Sequence, residues 1–155
     1  MREFGRRLRD AMIQKSHPVN VGYNTFIGCS DVEIQELMAR QNVAWLPQLY
    51  ISFLKEMGHF AGGYWMSEYM SYKHLLRLKD TVIDLATFNR LSLPEDSFVF
   101  MSSQDVGFWF FTTDDKNEDP VVYSYIDVDD DFVETEWTLA EFLSDPVSDV
   151  INEIK

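Results

Sequence analysis

The sequence predicts an α+β fold, a mostly antiparallel sheet of about four to six strands flanked by helices. Three observations predict it. Apolar residues recur at helical spacing up to about residue 90, short runs rich in aromatic and β-branched residues follow Leu93-Pro94, and a helical stripe returns near the C-terminal end. Helices first, then consecutive strands, then helix again is the order of segregated layers rather than of alternating strand–helix–strand units.

Taken in order, Phe4, Leu8, Ala11 and Met12 share one face of a first helix whose other side carries Arg2, Arg6, Arg7 and Arg9. Four modest apolar groups, with Glu3 and Asp10 diluting the charge, fit a helix packed on the body better than one lying on a membrane. Residues 1–25 read as this helix and a connector, and 26–153 as the core of one domain spanning 1–155. Ser30-Asp31-Val32-Glu33 has capping-box spacing and predicts a helix over 30–42. Leu46, Leu49, Tyr50, Phe53, Leu54 and Met57 keep an i, i+3, i+4, i+7 pattern, with Pro47 suited to the first turn and Gly58 to a left-handed stop. A third helix over 72–90 puts Leu75, Leu78, Val82, Leu85 and Ala86 on one side. Residues 98–101, 106–111, 121–126 and 132–137 read as strands, joined by short polar segments that predict an antiparallel meander. Thr138-Leu139-Ala140-Glu141 repeats the capping box before a last helical stripe that Asp145-Pro146 kinks or restarts.

Composition narrows the class. At 155 residues the chain buries roughly 70% of its unfolded surface without staples. Cys29 is the one cysteine, so no intramolecular disulfide forms, and a reducing, cytoplasmic setting is expected. The longest apolar stretch, 43–54, is broken by Pro47, Gln48 and Ser52 and is too short to span a bilayer. Net charge is −13, unevenly distributed: residues 1–91 carry eleven Lys/Arg against nine Asp/Glu, net +2, and residues 92–155 carry two against seventeen, net −15. Such a field repels nucleic acid and attracts basic proteins.

The segment Leu46-Pro47-Gln48-Leu49-Tyr50-Ile51-Ser52-Phe53-Leu54, placed between a capped helix and Gly62-Gly63, resembles the SUKH superfamily. The second half resembles it too, with Leu93-Pro94 before a strand, a hairpin ending in Asp119-Pro120-Val121-Val122-Tyr123, and Glu136-Trp137-Thr138-Leu139-Ala140-Glu141-Phe142-Leu143 opening the last helix. The likeness covers about residues 26–153 and departs from the common pattern at Gly58-His59-Phe60-Ala61 and in a long 64–92 insert. The resemblance implies an α+β sandwich and a binding role. Many bacterial members resemble immunity proteins that block a toxin domain, often a nuclease or deaminase, and others resemble regulatory or scaffolding modules in cell-wall and signalling pathways. It supplies no catalytic residues.

Chemical motifs are sparse. Asp127-Val128-Asp129-Asp130-Asp131 begins like a calcium loop, but Phe132 falls where the turn needs glycine and Thr138 where the bidentate glutamate belongs. It reads as a solvated turn. His17, His59 and His74 lie in no metal-type spacing, and Cys29 reads as a small residue ahead of a helix rather than a nucleophile. No phosphate or dinucleotide motif occurs, so no enzyme, cofactor or metal is expected. The expected partner is a basic toxin domain, bound stoichiometrically, with neither nucleic acid nor membrane involved. Its contacts are placed on Asp114, Asp115, Glu118 and Asp119 in one loop and Asp127, Asp129, Asp130 and Asp131 in the next, which emerge at opposite ends of the meander. Tyr64 and Trp65, with Trp109, Tyr123, Tyr125 and Trp137, are the candidate anchor rings, although strand alternation puts about half of such rings in the core.

Overall fold

A computed structural model describes residues 1–15, 25–65, 68–104, 106–126 and 129–151. Among the described residues, six α-helices, one 3-10 turn and six strands make an α+β arrangement with a four-stranded antiparallel sheet and a separate two-stranded one.

Helix α1, Phe4–Lys15, packs on α3, Gln48–Met57, burying Leu8, Ala11 and Met12 of the expected face together with Gly5, while Phe4 of that face is half-buried. The approach is close because Gly5 has no side chain: a Cβ there would lie 2.1 Å from the Ser52 carbonyl oxygen, and the Gly5 N–H donates to Ser52 Oγ at 2.8 Å. Helix α2, Asp31–Arg40, starts at the expected capping box, in which Ser30 Oγ accepts from the Glu33 N–H and Glu33 accepts from the Ser30 N–H. Helix α3 departs from expectation at both ends. Pro47 stands just before the first turn as the cap residue, and Gly58 is right-handed, with φ −64°. Glycine is required there for space instead of handedness, since a Cβ would lie 2.4 Å from Cys29 Sγ. Helix α4 runs Tyr72–Phe88.

Strands β1, Phe26–Ile27, and β2, Phe60–Ala61, pair antiparallel in a two-residue ladder too short to leave a periodic trace in the sequence. The main sheet is the expected meander: β3 Ser97–Ser103, β4 Gly107–Thr112, β5 Val121–Ile126 and β6 Val133–Thr138, in that spatial order. β5 coincides with its predicted run, and the other three differ from theirs by one or two positions at their ends. After the second capping box, α5 (Leu139–Ser144) gives way at Asp145-Pro146 to a 3-10 turn and a short α6 (Ser148–Ile151), the restart that the proline predicts.

One cluster of buried apolar residues extends from Leu8 in α1 to Val147 after α5. On one sheet face, Tyr50 of α3 meets Phe98 and Phe111 edge-on, with centroids 5.3 and 5.5 Å away, and Phe142 of α5 meets Phe100 at 5.3 Å. On the other, Phe132 closes over Phe110 and Tyr125, while Asn89 at the end of α4 donates to the Tyr125 hydroxyl at 2.6 Å. Strand β3 is accordingly buried along nearly its whole length. Offset and edge-on ring pairs of this kind add to area burial, which accounts for much of the aromatic richness.

Candidate functional site

The sheet has two edges, and the sequence treats them differently. At β3 the buried Gln41 acts like a strand residue: its Nε2 donates to the Val99 carbonyl at 2.8 Å, its Oε1 accepts from the Val99 N–H at 2.7 Å, and Nε2 also reaches the Leu75 carbonyl. Tyr69 continues the closure by exchanging backbone hydrogen bonds with Ser102. Strand β6 is the opposite edge, and among the described residues no strand pairs with its outer side. Val133, Glu134, Glu136 and Trp137 are exposed along it.

A bulge shapes this open edge. The pairing jumps from Tyr123–Glu134 to Val121–Thr138, so β6 has extra residues opposite Val122. Thr135 fills the irregularity by donating its hydroxyl to the Val122 carbonyl at 2.7 Å and accepting from the Trp137 N–H at 3.2 Å. The bulge interrupts the row of free backbone groups, which disfavours strand-to-strand aggregation and leaves recognition to side chains. Trp137, 42% exposed, lines a groove of about 570 Å³ with Glu136, Glu141, Asp145 and Ile151.

The acidic residues singled out in the sequence divide around this edge. The 113–120 loop sits at one end of the sheet and residues 129–132 at the other, roughly 20 Å apart by strand length. Asp129, Asp130 and Asp131 therefore flank the start of β6; Asp127 lies outside the described residues. Asp129 and Asp131 each accept one local backbone N–H, and Asp130 and Asp131 are exposed. In the other loop Asp114 and Asp115 are exposed, whereas Glu118 accepts from the Gln48 N–H and Asp119 from the Ala140 N–H, capping α3 and α5. Those two carboxylates have a structural task that sequence spacing did not reveal. Lys116 is the one basic residue among those described from 92 onward.

Tyr64 and Trp65 are half-buried on the helical side, apart from the open edge. The Tyr64 hydroxyl donates to the Met12 carbonyl at 3.2 Å, and Trp65 meets Phe53 edge-on. They line a cleft of about 240 Å³ with His59, Glu68 and His74. Of the other rings, Tyr125 is fully buried, Trp109 and Tyr123 are half-buried, and Trp137 alone stands out on the open edge.

The fold also assembles a group that spacing gave no reason to expect. Cys29, Glu33 and His59 offer Sγ, carboxylate and imidazole atoms all within 4.8 Å of one another. Pairing of β1 with β2 brings them together, since the His59 N–H donates to the Ile27 carbonyl and the Cys29 N–H to the Leu54 carbonyl, both at 2.8 Å. Glu33 Oε1 lies 2.9 Å from His59 Nε2, and the Tyr72 ring packs on His59 with centroids 4.9 Å apart. The Ser30 N–H, then the His59 contact, hold the Glu33 carboxyl below its ordinary range. Burial, then the Glu33 charge, push the Cys29 thiol up to about 12, the reverse of an activated nucleophile.

A family model, SUKH_6, described as SMI1-KNR4 cell-wall, matches residues 33–143. The chain belongs to the SUKH family. No curated protein and no solved structure matches it. The match runs from the first turn of α2 to Leu143 in α5, narrower than the 26–153 expected, and contains the sheet with both of its edges. Within this SUKH domain Glu33 and His59 fall inside the matched segment and Cys29 just before it. Among the described residues no helix is long and apolar enough to cross a membrane.

Proposed function

We propose that this SUKH domain is a non-catalytic, protein-binding immunity module that neutralises a basic toxin domain, of the nuclease or deaminase type, by stoichiometric occupation. The observation that carries the reading is the open acidic edge: Asp129, Asp130 and Asp131 at one end, Glu134 and Glu136 along β6, and Glu141 and Asp145 beside the exposed Trp137 ring. An enzyme that holds nucleic acid needs a positive groove, and an ordered row of carboxylates both steers association with it, toward about 10⁸ M⁻¹s⁻¹ at low salt, and covers it. Trp137 supplies what charge alone lacks, a large apolar anchor in a polar rim. Asp114 and Asp115 extend the field from the far end of the sheet, and Tyr64 with Trp65 form a second surface for a larger partner. Such a partner places the domain in the cytoplasm.

Co-expression with the toxin-like product of a neighbouring gene tests the proposal: growth is restored, and the purified pair elutes at one-to-one stoichiometry. No rescue by any adjacent candidate overturns it. The cell-wall description of the matching family favours a second reading, a regulatory scaffold for other cellular proteins. A scaffold binds partners irrespective of their net charge and gives no growth rescue.

A further inference from the structure

We propose that Cys29, Glu33 and His59 form a three-ligand site for a thiophilic divalent ion of the zinc type, with water in the fourth position. The inference is independent of the reading given to the acidic edge.

The donor set is mixed sulfur, nitrogen and oxygen, which suits zinc or cobalt and does not suit the all-oxygen preference of calcium and magnesium. Geometry is close to what such an ion requires. A tetrahedral ion with ligands at about 2.0 to 2.3 Å separates its donor atoms by roughly 3.3 to 3.6 Å, so the Glu33–His59 pair, now 2.9 Å apart, opens slightly while the sulfur, within 4.8 Å of both, closes by about 1 Å at most. The backbone is fixed on both sides of the site by the β1–β2 ladder and the two hydrogen bonds at Cys29 and His59. Gly58 leaves the room that the Cys29 sulfur occupies.

Charge and access agree with the donor set. On binding, the Cys29 thiol releases its proton to solvent, and the resulting thiolate with the Glu33 carboxylate balances a dication, so the loaded site is neutral in a partly buried place. Cys29 is 6% exposed, whereas the His59 and Glu33 side chains are 32% and 31% exposed, so the sulfur forms the floor and the two surface ligands leave a side open to water. Because the ligands come from the β1–α2 connection, α2 and the α3–β2 corner, an ion here clasps three segments. Binding to the folded state alone then raises its stability by mass action.

The test titrates the full chain with Co²⁺, then with Zn²⁺. One equivalent of Co²⁺ is expected to give a thiolate-to-metal charge-transfer band in the near ultraviolet, to be displaced by Zn²⁺, and to raise the melting temperature. Cys29→Ser abolishes the band. Because Cys29 is buried, the surface variants His59→Gln and Glu33→Gln keep the proposal falsifiable: each retains the wild-type circular dichroism and weakens binding by about tenfold or more, as loss of even outer-shell partners does. Absence of the band in the wild-type chain overturns the assignment. So does Co²⁺ affinity unchanged in either surface variant, or Mg²⁺ competing as well as Zn²⁺, which places the ion on the acidic loops instead.

Discussion

The two edges of one sheet show how the same element is closed for folding and left open for contact. At β3 the exposed-strand problem is solved with a single buried glutamine and a short bridge through Tyr69. At β6 it is solved with a bulge and charge, which stop other strands from adding but leave carboxylates and Trp137 facing solvent. Burial follows the same division: β3 is buried nearly throughout, and β6 is mostly exposed. The difference teaches that the closed edge, which serves the fold, and the candidate partner surface lie on opposite edges of the meander, so each can be changed without the other.

The largest expected effect is at the closed edge. Gln41→Ala removes three buried hydrogen bonds and leaves both polar groups of Val99 unpaired, which should cost about 2 to 4 kcal/mol in urea unfolding. A loss under about 1 kcal/mol means that water replaces the amide and the edge is not closed as described.

At the open edge the sign of the comparison reverses. Trp137→Ala should leave the urea midpoint nearly unchanged and weaken binding to the basic partner by about 2 kcal/mol in calorimetric titration. Equal affinity for both proteins separates the partner surface from this groove. Neutralising Asp129, Asp130, Asp131, Glu134 and Glu136 together to their amides should slow association about tenfold at low salt and flatten its salt dependence, as stopped-flow mixing would show. An unchanged rate and slope rejects the acidic edge as the steering surface.

The smallest effect is away from both edges, where Asp149 of α6 pairs with Lys15 of α1 at 2.9 Å. The Lys15 ammonium holds the Asp149 carboxyl below its ordinary range. A depressed carboxyl stabilises the fold above its unfolded-state value, about pH 4, and that contribution is lost as pH falls through the lower folded-state value. Asp149→Asn should therefore lower the melting temperature slightly at neutral pH, and the two proteins should converge in strong acid. A gap that persists there assigns the effect to something other than this ion pair.

Much of this was legible in the chain. Both capping boxes, the four strands of the meander and the break at Asp145-Pro146 follow from spacing within a few residues, where local hydrogen-bond chemistry and alternation act. What escaped has long-range causes. Glu118 and Asp119 looked like free surface charges, and only their packing shows that they cap α3 and α5 from a distant loop. Gly58 looked like a left-handed stop, and only the sulfur of Cys29 explains it. Tyr64 and Trp65 were grouped with the acidic loops, and they pack against α1 and α3.

By itself the sequence determined the fold class, the order of elements and the segregation of negative charge into the last 64 residues. These depend on periodicity, capping and composition, which are properties of neighbours along the chain. Tertiary structure alone decided which edge of the sheet is closed, which carboxylates are free, and that Cys29 and Glu33 meet His59 across about thirty residues. Contacts between residues far apart in sequence depend on how the layers pack, and no local pattern encodes that distance.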